Sequence, residues 1–96
     1  MHQLSIVAHI RAMADRIPLV KSELEKLIIP TRGESGCLQY DLHQDNRDPA
    51  HFLFFERWES MESLQAHEKS PHIRDFQKAV EGAIESFTLH EMTRIG

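Results

Sequence analysis

Hydrophobic and polar residues alternate early in the chain. Leu4, Ile6, Ala8 and Ile10 fall on one side of the alternation and Ser5, Val7, His9 and Arg11 on the other, which predicts a strand with one cleanly apolar face. The period then lengthens: Ile17, Val20, Leu24, Leu27 and Ile28 recur at helical spacing, with Asp15 placed to cap the helix and Pro18 tolerated in its first turn. Pro30 is expected to end or kink that helix, and TRGESG to form a turn in which Gly33 and Gly36 take backbone angles other residues avoid. CLQYDLHQ returns to alternation, with Leu38, Tyr40 and Leu42 on one face, and a polar turn, DNRDPA, leads into the third strand. There Phe52, Phe54, Glu56 and Trp58 share one face while Leu53, Phe55 and Arg57 share the other. Ser60 is placed to cap a helix from Met61 to about Glu68, and Ser70-Pro71 reads as a cap and first-turn pair that restarts helix, with Ile73, Phe76 and Val80 inward. SFTLHEMTRI is the last strand. The predicted order is β-α-β-β-α-β with a broken second helix, an α+β ferredoxin-like antiparallel sheet forming one domain over residues 1–96.

Two features of this pattern bear on function. Two helices cover only one face of a four-stranded sheet, yet the third strand is apolar on both faces and the first offers Val7 on its second face. The helix-free face is therefore expected to pack against another copy, sheet against sheet, in a two-fold homodimer. The second feature is Glu56, a carboxylate set in an aromatic row. Burying it bare is costly, so it is expected to be paired, hydrogen-bonded, or at the mouth of a pocket.

Composition narrows the classes. Ninety-six residues suffice for one core but not for separate cofactor and substrate domains. Eleven basic against fifteen acidic residues, a net charge of -4, give no basic field for a phosphate backbone, so nucleic acid is not the expected partner. A single cysteine, Cys37, makes no internal disulfide and no zinc-type cluster, as suits a reducing compartment. The amino terminus alternates instead of showing the charged and apolar regions of a signal peptide, and no apolar run reaches membrane-spanning length, so a cytoplasmic protein without a membrane partner is expected.

GESGCLQYDLHQD followed by FFERWESMESLQAHEKSPHIRDF resembles the antibiotic biosynthesis monooxygenase family, in particular its small single-domain bacterial members of the quinol monooxygenase type. The elements are an E-x-G-C-x-x-Y turn into strand two (Glu34, Gly36, Cys37, Tyr40), E-x-W closing strand three (Glu56, Trp58), and H-x4-H with a following aromatic (His67, His72, Phe76). The resemblance implies a dimeric α+β barrel with a pocket in each subunit between helices and sheet. It also implies oxygenation of a quinol or related phenolic compound by molecular oxygen, without metal or flavin.

Such chemistry needs a substrate that becomes electron-rich on losing a proton, and from the protein a base, a dry pocket and an orientation. His67 is the candidate base, because an imidazole titrating near ~6.5 accepts a proton at neutral pH. Glu56 is placed beside it in the catalytic set, to orient His67 or the substrate hydroxyl. Trp58 and Phe76 are candidate aromatic walls, with His72 alongside, and Tyr40 a candidate donor to a developing phenolate. The same residues also read as plain structure: Trp58, Phe52, Phe54 and Phe76 as core, His67 as bonded to backbone near Ser70, His72 as a first-turn polar residue, Glu56 as paired with a helix Arg or Lys. Cys37 reads as a small buried thiol.

Seven histidines raise the question of a metal. His67 and His72, five apart with Pro71 between them, are not expected side by side on a regular helix, and His9, His43 and His90, on three strands, read as solvated or interface residues; no metal and no cofactor is the expectation. Within the same fold, heme-degrading relatives carry an Asn where this chain has Ile10, which argues against heme. An isomerase of small phosphorylated sugar-like molecules and a non-enzymatic dimeric module binding a hydrophobic ligand are the alternatives.

Overall fold

The computed structural model describes residues 3–96. Its elements are β1 (Leu4–Ala12), α1 (Ile17–Glu25), α2 (Ile28–Arg32), β2 (Cys37–Gln44), β3 (His51–Trp58), α3 (Met61–Glu68), α4 (Pro71–Ala79) and β4 (Ile84–Met92). The strands form one antiparallel sheet in the order β2-β3-β1-β4. This is the ferredoxin-like α+β arrangement that the order of elements predicts.

Register aligns the expected faces. Tyr40, Glu56, Ile6 and Glu91 lie in one row across the four strands, and Leu42, Phe54, Ala8 and Leu89 in the next. The helix-facing rows hold the core: Ile6, Phe52 and Trp58 are almost wholly buried, in one cluster with Val20 and Leu24 of α1. Each such side chain contributes about 1.5–3 kcal/mol through burial. On the other face Val7, Leu53 and Phe55 are only half-buried.

Four local expectations change. In β2 an irregularity falls between Cys37, opposite Trp58, and Gln39, opposite Arg57. This extra residue breaks the alternation, so Leu38 is exposed and Cys37 packs on the core. The first helix ends before Pro30, and Pro30 instead sits in the first turn of α2, where a missing N–H leaves no helical bond unmade. Arg16, not Asp15, precedes α1, and no side chain caps it. Gly33 has an ordinary helical φ of -83°, so only Gly36, at φ 84°, needs the left-handed region in that turn.

The broken helix follows expectation more closely. The Ser63 N–H donates to Ser60 Oγ at 3.2 Å, capping α3. Ser70 precedes Pro71 at the start of α4, although its hydroxyl makes no cap bond. Among the described residues no helix is long and apolar enough to cross a membrane.

Candidate active site

Between the helices and the inner face of the sheet lies a cavity of about 470 Å³. The sheet contributes Ala8, Tyr40, Phe54 and Glu56 to its wall, the helices Leu24, His67 and Phe76, and Phe87 of β4 stands exposed at its rim. The volume falls in the ~300–1,000 Å³ range usual for small-molecule sites, and the lining is apolar with a few polar groups.

Glu56 is the most perturbed of these. It is 4 % exposed, and its Oε1 accepts a hydrogen bond from Trp58 Nε1 at 2.8 Å. Both residues lie on the same face of β3, two apart, which is why the indole can reach the carboxylate. Burial pushes the Glu56 carboxyl up to about 7, against the opposing effect of the indole bond and with help from the negative charges of Glu68 and Glu34. Tyr40, stacked on Phe54 with ring centroids 4.3 Å apart, has its hydroxyl held far toward the protonated form, first by burial and then by Glu56. It therefore keeps its proton at neutral pH.

His67 stands at the end of α3, its ring 4.8 Å from Trp58 and 5.5 Å edge-on from Tyr40. Its Nδ1 is 2.7 Å from Glu34 Oε2, and His72 Nε2 is 2.7 Å from the same oxygen. A carboxylate only accepts, so each of these ring nitrogens donates; for a neutral His67 this leaves Nε2 as the atom able to take a proton. Glu34 reaches both rings because its turn packs directly on α3. Gly36 lies against the Ser63 side chain, where a Cβ would collide, and its carbonyl accepts from the Glu59 N–H at 2.8 Å.

Comparison with known proteins decides the family. Residues 4–79 match the profile described as antibiotic biosynthesis monooxygenase. The chain belongs to the antibiotic biosynthesis monooxygenase family. PA3566 from Pseudomonas aeruginosa, a solved structure, superposes with a TM-score of 0.96 at 31% identity, covering 100% of this chain and 97% of that one. Rv0793 of Mycobacterium tuberculosis is 31% identical over 77 residues, 80% of this chain and 75% of its own. The Escherichia coli protein named "Probable quinol monooxygenase YgiN" is 26% identical over 91 residues, 84% of this chain and 88% of its own. Membership thus places the chain among proteins of the monooxygenase kind, for which a small-molecule substrate and oxygen are the reactants.

Against this family background the expected site residues divide. Glu56, His67, Tyr40 and Phe76 share the cavity wall. Trp58 does not reach the cavity: it is wholly buried behind Glu56 and His67 and acts on the site through them. His72 also lies off the main cavity, beside a smaller cleft with Glu23, Lys26 and Asp75. Glu56 bonds Trp58, not His67, and pairs with no helix Arg or Lys; the residue holding His67 is Glu34. Glu34 has no chemical role in the sequence reading, because its partners are 33 and 38 residues away. Its one signal was the family's turn, where it precedes Gly36 by two. The expectation that His67 and His72 stay apart is also corrected. The helix break at Lys69-Ser70 replaces regular helical spacing, and the last turn of α3 and first turn of α4 present both rings to one oxygen. Cys37, expected as a small buried thiol, is only partly buried, its ionisation discouraged first by burial and then by Glu34.

Proposed function

We propose that this protein is a cofactor-independent monooxygenase of a quinol or related phenolic compound, with His67 as general base. The observation that carries the reading is the 2.7 Å contact of His67 Nδ1 with Glu34, which presets the proton-accepting nitrogen of a residue in the cavity wall. A substrate hydroxyl gives its proton to His67 Nε2. The resulting anion passes an electron to oxygen, and the radical pair joins at a ring carbon as a hydroperoxide. His67 returns the proton to the peroxide. The O–O bond then breaks as the same ring carbon loses its hydrogen as a proton, so the outer oxygen leaves as water and the inner one stays as the quinone carbonyl, the substrate having supplied all four electrons.

The remaining wall suits this substrate. Tyr40, kept protonated by burial, is a donor for the anionic oxygen, and Glu56, with its carboxyl near 7, is a second proton carrier held in place by Trp58. Phe54, Phe76 and Leu24 offer flat apolar surface for an aromatic ring. Glu68 and Glu81 in the same lining argue against a phosphorylated ligand, and so against the isomerase alternative. We further propose that two copies pair through the helix-free face, where Val7, Leu53 and Phe55 are half-buried in the single chain.

Incubation with naphthol and quinol substrates under oxygen-18 gas tests the reading. Incorporation of one labelled atom into the quinone product is the expected result. Label absent from the product, or turnover without oxygen, contradicts it.

A further inference from the structure

We propose that Glu34, His67 and His72 form a binding site for one divalent transition-metal ion of the zinc type, closed over the turn before β2 and the break between α3 and α4. Their donor atoms, one from each residue, all lie within 4.8 Å of one another. Two imidazoles and one carboxylate are the donor set of borderline-soft divalent ions, whereas magnesium and calcium prefer all-oxygen shells. In a tetrahedral complex with metal–ligand bonds of about 2.0–2.1 Å, neighbouring donors stand roughly 3.3 Å apart. The 2.7 Å contacts of Glu34 Oε2 with His67 Nδ1 and His72 Nε2 would thus open by about 0.6 Å, while the two ring nitrogens, which lie within 4.8 Å of each other, would close by up to about 1.5 Å.

Access and freedom to adjust are unequal in a useful way. The His67 side chain is 7% exposed and fixed by packing, while Glu34 and His72 are 17% and 21% exposed and can move toward solvent. That opening also admits the water expected as fourth ligand of a three-residue site. The three ligands come from the β2 turn, the last turn of α3 and the first turn of α4, so a bound ion ties these elements together at the point where Glu34 now accepts two hydrogen bonds.

Binding changes the chemistry of His67. A neutral imidazole ligated through Nδ1 carries its proton on Nε2, so the nitrogen otherwise free to accept a proton becomes a donor. This inhibitory consequence rests on His67 being the base. The binding itself does not, and is read with no substrate present.

Titration calorimetry of the full chain with zinc chloride, repeated with magnesium, is the test. One zinc ion per chain and no magnesium binding are expected. Glu34→Gln and His72→Ala should each weaken zinc binding by at least the roughly 10- to 100-fold that losing an outer-shell partner costs. His9→Ala, on the opposite face of the sheet where His9 Nδ1 lies 2.8 Å from His51 Nε2, should leave it unchanged. With 15N-labelled histidine, zinc should move the His67 proton from Nδ1 to Nε2. Absence of zinc binding, binding that survives both ligand substitutions, or loss of binding in His9→Ala overturns the proposal. So does an Nδ1 proton that stays in place at saturation. Thermal melts of each variant separate ligand loss from unfolding.

Discussion

A buried carboxylate that no cation pairs with among the described residues has a definite effect on stability. Below about pH 4.5 both the folded and the unfolded chain hold the Glu56 proton, and between there and about 7 only the folded chain does. Folding stability therefore falls as pH rises through that window, by about 3 kcal/mol from this one group. Glu56→Gln keeps an acceptor for the Trp58 indole and has no proton to lose. Denaturant unfolding at a series of pH values should show that component of the slope vanish in the variant. An unchanged slope would mean the carboxyl is not held protonated. At the same scale, Glu34→Gln keeps an acceptor for the His67 N–H but removes the charge that steadies an imidazolium. It should lower kcat for the quinol reaction by roughly tenfold or more, with the larger effect on kcat than on KM, and steady-state kinetics will show whether it does. Glu56 was visible in the sequence because a carboxylate is out of place in an aromatic row, and His67 through the family resemblance. Glu34 was not, because a carboxylate in a polar turn looks solvated until distant residues close on it.

Elements place these groups, and their ends were the least legible part of the chain. Alternation predicted β1 and β3 face by face, since both are regular. It failed in β2, where a one-residue irregularity exposes Leu38 and turns Cys37 inward. Pro30 signalled a helix end, yet a proline is equally at home in a first turn, and the chain uses it there. The turn carrying Glu34 depends on Gly36, whose φ of 84° and contact with Ser63 both exclude a side chain. Gly36→Ala should destabilise the fold by more than about 1 kcal/mol, measured by chemical unfolding. It should also push the β2 turn away from α3 and loosen the Glu34 contacts. Ser60→Ala, which removes only the cap of α3, should cost about 1 kcal/mol while leaving the Glu34 contacts in place. Equal effects of the two substitutions on activity would show that the turn has no special part in holding His67.

At the scale of the whole molecule, one face of the sheet is covered by helices and the other is not. The uncovered face carries Val7, Leu53 and Phe55 together with a histidine group. His9 Nδ1 is 2.8 Å from His51 Nε2, His51 Nδ1 is 3.2 Å from Asp45, and His90 meets His9 edge-on at 5.9 Å. His43 is not part of this group, since register places Leu53 between it and His9. Phe55→Asp at the centre of the face should convert the proposed dimer to a monomer in sedimentation velocity, and an unchanged mass would remove this face as the interface. The proposed pairing of two copies rests on a strand apolar on both sides. The fold could be read from the order of elements. The reaction could not, because an aromatic wall with a histidine serves a binding module as well as an oxygenase. Oxygen uptake with a panel of quinols and naphthols, in the presence of a chelator, tests the reaction most directly. The account predicts uptake by the wild-type protein without added metal or flavin, and its loss in a folded His67→Ala variant. Uptake that requires an added cofactor, or that survives in His67→Ala, would contradict it.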